Sequence, residues 1–84
     1  MTNKEILKKQ IIYRSMHRGT KEMDLLLGNF VKKHIDKFNN TELKDLEKLL
    51  FKEDEVIYKW YFEKNSDKAI QKTKVSAMFK NFKL

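Results

Sequence analysis

The chain of 84 residues contains no proline, no cysteine and only two glycines. Nothing in it breaks a helix for long stretches, while leucine, lysine, glutamate, methionine and glutamine, all good helix formers, recur throughout. An all-α fold is therefore expected. Turn and capping signals fall at Gly19, at Asn39-Asn40-Thr41, at Lys52-Glu53-Asp54 and at Asn65-Ser66. They divide the chain into five helices, at about Lys4–Arg18, Thr20–Phe38, Thr41–Phe51, Asp54–Lys64 and Asp67–Asn81. The short connections predict a small five-helix bundle filling residues 1–84 as one domain.

The second segment has the clearest amphipathic pattern. Met23, Leu26, Leu27, Phe30, Val31, His34 and Phe38 recur at spacings of three and four, which makes it the expected core helix. His34 lies in that stripe and reads as a core or boundary histidine. In the fourth segment, Val56, Ile57, Tyr58, Trp60, Tyr61 and Phe62 cover about 240° of the helix circumference, more than one stripe requires. Such a helix is either enclosed or shows aromatic rings to a partner; enclosure, with Trp60 buried, is the expectation here.

With nine leucines, six isoleucines and six phenylalanines the chain has enough apolar material for one core, and without cysteine that packing must hold it together. The composition fits a reducing compartment. No apolar run exceeds three residues, so neither a membrane span nor a signal-peptide core is expected, and the chain reads as soluble and cytoplasmic. The formal net charge of +7 admits nucleic acid, an anionic surface or an acidic protein as partner. Because carboxylates are interleaved with the lysines and no long basic block occurs, a helical nucleic-acid-binding module is only the alternative reading.

Catalysis is not expected. The two histidines, His17 and His34, have no metal-ligand spacing, and no glycine-rich phosphate loop follows a strand. No catalytic residue, metal site or tightly bound cofactor is assigned.

Only two of the nineteen basic residues are arginines, Arg14 and Arg18, one helical turn apart. Arginine offers a planar fork of donors that lysine cannot imitate. Arg18 precedes Gly19, which permits a positive φ or a close approach, and Glu22 follows in the first turn of the next segment. The result is a corner with a cation on one side and an anion on the other. Capping chemistry alone explains a glycine and a glutamate at such a boundary, so spacing by itself does not assign a function.

The stretch "RGTKEMD", Arg18 to Asp24, resembles the RGxxE signature of the small succinate dehydrogenase flavin-assembly factors, the SdhE family. "IYRSMHRG", "LLLGNFV" and "LLFKEDEVIYKWYF" are similar to the family's first helix, second helix and acidic-turn and tryptophan segment. The chain departs from the family pattern at Met16 and His17, where more basic residues are common, and at Glu53-Asp54-Glu55, where a proline is common. The resemblance implies a non-enzymatic chaperone of the tricarboxylic acid cycle enzyme succinate dehydrogenase. It would bind the flavoprotein subunit, with fumarate reductase as a further client, and promote covalent attachment of FAD to that client. It also implies a bacterial cytoplasmic setting and a monomer that contacts the client through Arg18, Gly19 and Glu22, accompanied by Arg14, His17 and Asp24. On that reading the loss of Arg18 or Glu22 is expected to spare the fold.

Overall fold

The computed structural model describes residues 2–63 and 70–83, and among them every regular element is helical. The helices are α1 (Asn3–Met16), α2 (Lys21–His34), α3 (Asn40–Leu50), α4 (Asp54–Phe62) and α5 (Lys74–Asn81), and a 3-10 turn at Ile35–Lys37 finishes α2. The expected all-α, five-helix architecture is the one observed. α1 lies against α2 and α3, and α3 against α5.

Local chemistry sets the helix starts. The side chains of Thr2, Thr20, Asn39 and Thr73 each accept a hydrogen bond from a backbone N–H in the first turn that follows. At α3 and α5 the cap is reciprocal: Glu42 accepts from the Asn39 N–H and Ser76 accepts from the Thr73 N–H, so two otherwise orphaned donors are satisfied at each end. That Asn39 N–H, with Lys74 behind it, holds the Glu42 carboxyl below its usual range, and the Lys74–Glu42 pair at 3.3 Å also links α5 to α3.

Three expected boundaries need correction. α1 stops at Met16, so Arg18 lies in the connection rather than on the helix one turn beyond Arg14. α2 keeps α-helical geometry only to His34 before tightening into the 3-10 turn, and Phe38 is extended. α5 starts at Lys74 because the Thr73–Ser76 box closes it there. Ile70 therefore packs into the core from a non-helical connection. The turn signal at Asn65-Ser66, the expected end of the fourth helix at Lys64 and the expected start of the fifth at Asp67 lie outside the described residues.

Phe30 of α2 sits at the centre of the core. Phe79 and Phe82 meet its ring edge-on at 5.1 and 5.3 Å, and Phe38 lies 6.4 Å away. Ile11, Leu27, Val31, Leu43, Leu46, Ile57 and Val75 are fully buried around it. Each such burial contributes about 1.5–3 kcal/mol, which carries the fold in the absence of disulfides. Tyr61 donates a hydrogen bond from its hydroxyl to the Phe82 carbonyl and so secures the C-terminal stretch beyond α5.

α4 is not enclosed. Ile57 and Trp60 are buried and Val56 and Tyr61 partly so, but Tyr58 and Phe62 are about half exposed and pack on each other at 4.7 Å. Trp60 itself is 7% exposed, lies nearly parallel to Phe79 at 6.1 Å and carries the Lys80 ammonium 5.1 Å above its ring. Iodide should therefore quench its fluorescence weakly in the folded protein and strongly in urea; strong quenching in the native state would refute this packing.

His34 is half-buried among Phe30, Phe38 and Phe82. Burial first, then the neighbouring Lys33 and Lys37, lowers its pKa below the ordinary histidine value. The folded state thus prefers neutral His34, and its contribution is complete above that ordinary value and is lost as pH falls below it. Between about pH 8 and pH 5 the melting temperature should drop, and by less in His34→Phe, which keeps a ring there but cannot take up the proton. Equal acid sensitivity in both proteins would refute the assignment.

Candidate functional site

The connection between α1 and α2, His17 to Thr20, is held by two carboxylates, one from α2 and one from α4. Asp24, in the first turn of α2, accepts the Arg18 backbone N–H at 2.5 Å, and Asp54, the first residue of α4, accepts the Gly19 N–H through Oδ2 at 2.5 Å. These amides therefore do not continue α1. The helix ends because its next donors have better, charged acceptors.

The Arg18 side chain completes the arrangement. Its Nε donates to Asp54 Oδ1 at 2.6 Å, Nη1 to the Leu50 carbonyl at 2.7 Å and Nη2 to the Lys52 carbonyl at 2.7 Å. Leu50 closes α3, so Arg18 satisfies a carbonyl at the negative end of that helix, while Asp54 sits at the positive start of α4. One guanidinium thus joins the α1–α2 connection, the end of α3 and the start of α4. The side chain is only 9% exposed and that of Asp54 21%. Arg18 lies inside the corner rather than on its outer face.

Gly19 has the same partner. A Cβ built there would come within 2.9 Å of Asp54 Oδ2, and Gly19 does not occupy the left-handed region. Of the two roles open to this glycine, close approach is the one the geometry uses: the Asp54 carboxylate, already fixed by Arg18, needs the space.

The other sequence-predicted residues face solvent. Glu22 is exposed on the first turn of α2 and has no hydrogen bond or ion pair among the described residues. Arg14 is exposed and lies over the Phe51 ring, 4.4 Å from its centroid. His17 stacks on Tyr13 at 4.0 Å and donates from Nδ1 to the Tyr13 carbonyl at 2.8 Å. The corner thus has an inner set of Arg18, Gly19, Asp24 and Asp54, joined by hydrogen bonds, while Glu22, Arg14 and His17 and the rings of Tyr13 and Phe51 are exposed. Sequence reasoning missed Asp54 as the partner of Arg18, and Tyr13 and Phe51 as surface rings. The acidic turn containing Asp54 was visible in the sequence, but nothing local ties it to a residue 36 positions away.

Among the described residues no group of three His, Cys, Asp or Glu side chains is placed to hold a metal ion, and no helix is long and apolar enough to cross a membrane.

Comparison with known proteins places this corner in context. A family model described as the flavinator of succinate dehydrogenase matches residues 9–83. The chain is 40% identical over 57 residues to the mitochondrial succinate dehydrogenase assembly factor 2 of Meyerozyma guilliermondii, a match covering 68% of this chain and 42% of that protein. It is 40% identical over 60 residues to the protein of the same name from Dictyostelium discoideum, covering 71% and 43%. It is 36% identical over 55 residues to the FAD assembly factor SdhE of Acetobacter pasteurianus, covering 66% and 50%. The matched stretch is half or less of each of these relatives. No solved structure matches the chain at a significant level. Since the family match runs from the middle of α1 through α5 and includes the whole corner, the chain belongs to the family of flavinators of succinate dehydrogenase.

Proposed function

We propose that this chain is a non-enzymatic assembly factor that binds the flavoprotein subunit of succinate dehydrogenase and promotes the covalent attachment of FAD to it. The observation that carries this reading is the family match over residues 9–83, supported by a corner that fixes Glu22 and its neighbours at the surface. Covalent attachment needs the accepting side chain and the flavin in one orientation. A helper that binds the competent arrangement more tightly than the others raises its population without touching the reacting atoms. FAD on this reading belongs to the client, and the factor holds no cofactor tightly. The same reading gives a monomer acting in a bacterial cytoplasm, with a fumarate reductase flavoprotein as second client.

The roles within the signature divide by layer. Arg18, Gly19 and Asp24 hold the corner, and Glu22, with Arg14 and His17 beside it, touches the client. Glu22→Ala should leave the melting temperature within about 4 °C, as for an unpaired surface side chain, yet lower client affinity by about 30-fold or more and remove most flavin attachment. Arg18→Ala should behave differently. It strands Asp54 and two carbonyls, costs about 2–4 kcal/mol, and lowers the melting temperature by about 10 °C or more, with Arg18→Lys recovering only part. The measurement is flavin attachment to purified flavoprotein subunit beside thermal melting of each variant. Normal attachment with Glu22→Ala would sink the assignment of the contact, and an unchanged melting temperature in Arg18→Ala would sink the clamp.

A further inference from the structure

Tyr13 and Phe51 are the most exposed large apolar residues among those described, at 63% and 58%. Neither is left so by chance of a flexible loop. Phe51 follows the last residue of α3, and the carbonyls on either side of it, those of Leu50 and Lys52, both accept from Arg18. With the Leu49 and Leu50 side chains committed to the core, the ring of Phe51 is held outward. The Arg14 guanidinium carbon then lies over it, 4.4 Å from the ring centroid.

An arginine stacked by its face keeps its N–H edge free. Arg14 has no carboxylate partner among the described residues, whereas the other arginine is fully engaged. Arg14 and Tyr13 also line a shallow cleft with Lys9 and Gln10, and among the described residues no carboxylate lines it. The arrangement combines two exposed rings with a guanidinium held over one of them, the residue types that concentrate binding energy at protein interfaces.

We infer that Arg14, laid on Phe51 and flanked by Tyr13, is a receptor for a carboxylate side chain of the flavoprotein client, with the two rings as its apolar floor. The inference rests on the function proposed above and adds to it two contact residues and the chemistry of the partner. The occupant is an acidic side chain on a segment that also brings apolar surface. Contact with the ring restricts the guanidinium, and its planar fork matches a carboxylate, so less freedom is lost on binding than for a lysine. It also gives Arg18 a second role, since the clamp that joins the helices is what keeps Phe51 under Arg14.

The test measures affinity for the purified flavoprotein subunit of succinate dehydrogenase, together with flavin attachment and thermal melting. Arg14→Ala, Phe51→Ala and Tyr13→Ala should each weaken binding by about 5- to 30-fold with melting temperatures close to that of the parent chain. Arg14→Lys should recover only part, and Arg14→Glu should bind more weakly than Arg14→Ala, because a client carboxylate would be repelled. If Glu22→Ala impairs binding while Arg14→Ala and Phe51→Ala bind like the parent, the receptor is wrong and the client reading stands. If the parent chain itself neither binds the subunit nor promotes attachment, both fall. Equal affinities for Arg14→Glu and Arg14→Ala would overturn the carboxylate chemistry. The inference would also be overturned if client binding were unaltered while Phe51→Ala abolished self-association, or while Arg14→Ala abolished binding to a polynucleotide; these outcomes would give the face to a second copy or to phosphates.

Discussion

Three donor nitrogens of Arg18 reach three acceptors on two helices and the turn between them, and the arrangement of the corner depends on that. The acceptors are a carboxylate at the start of α4, the last carbonyl of α3 and the carbonyl of the turn between them. Each would otherwise be a poorly satisfied group at a helix end. The α3–α4 turn is therefore closed from outside its own sequence, by a side chain arriving from the α1–α2 connection. The reciprocal bonds complete the loop: Asp54 accepts from Arg18 Nε and from the Gly19 N–H, and Asp24 accepts from the Arg18 N–H. An ion pair of this kind differs from the exposed Lys59–Glu55 pair one turn along α4, which contributes only a few tenths of a kcal/mol.

A contact surface follows from this inner layer. Glu22 is displayed where it is because α2 starts where it does, and α2 starts there because Thr20 caps it while Asp24 is tied back to Arg18. Phe51 is displayed because the peptide groups on both sides of it are held. Residues that never leave the interior can thus determine what a partner meets. Loss of a signature residue can abolish function through either layer, and only a fold measurement beside the functional one separates the two.

Much of the fold was legible in the sequence because it rests on local rules. The stripe Met23-Leu26-Leu27-Phe30-Val31 predicts a core helix, and all five side chains are buried. Asn39 and Thr20 mark helix starts by capping chemistry. The errors came where two local signals competed. Thr73 and Ser76 form a reciprocal cap that starts α5 at Lys74, although the expected helix already included Ile70. The helical period continues from α1 to Arg18, but Arg18 gives its amide to Asp24 in the next helix and Gly19 gives its own to Asp54 in α4, the second a choice no local window of sequence contains. The site was legible as a set of residues and not as an arrangement. Periodicity placed Arg14 and Arg18 on one face, whereas the structure turns one outward onto Phe51 and the other inward to Asp54.

The scarcity of arginine in this chain then has a physical reading. Seventeen of its nineteen basic residues are lysine, which is sufficient wherever a solvated positive charge is all that is required. At position 18 the three acceptors diverge, and an ammonium on a flexible stem meets one or two of them while losing more side-chain freedom. The planar fork meets all three with one conformation fixed. At position 14 the face of the group is in use, since a delocalised cation can lie flat on a ring and leave its edge for a partner. The chain keeps arginine at two positions that use its geometry in different ways. The inner one uses its edge to build the corner, and the outer one uses its face to rest on what the first has built.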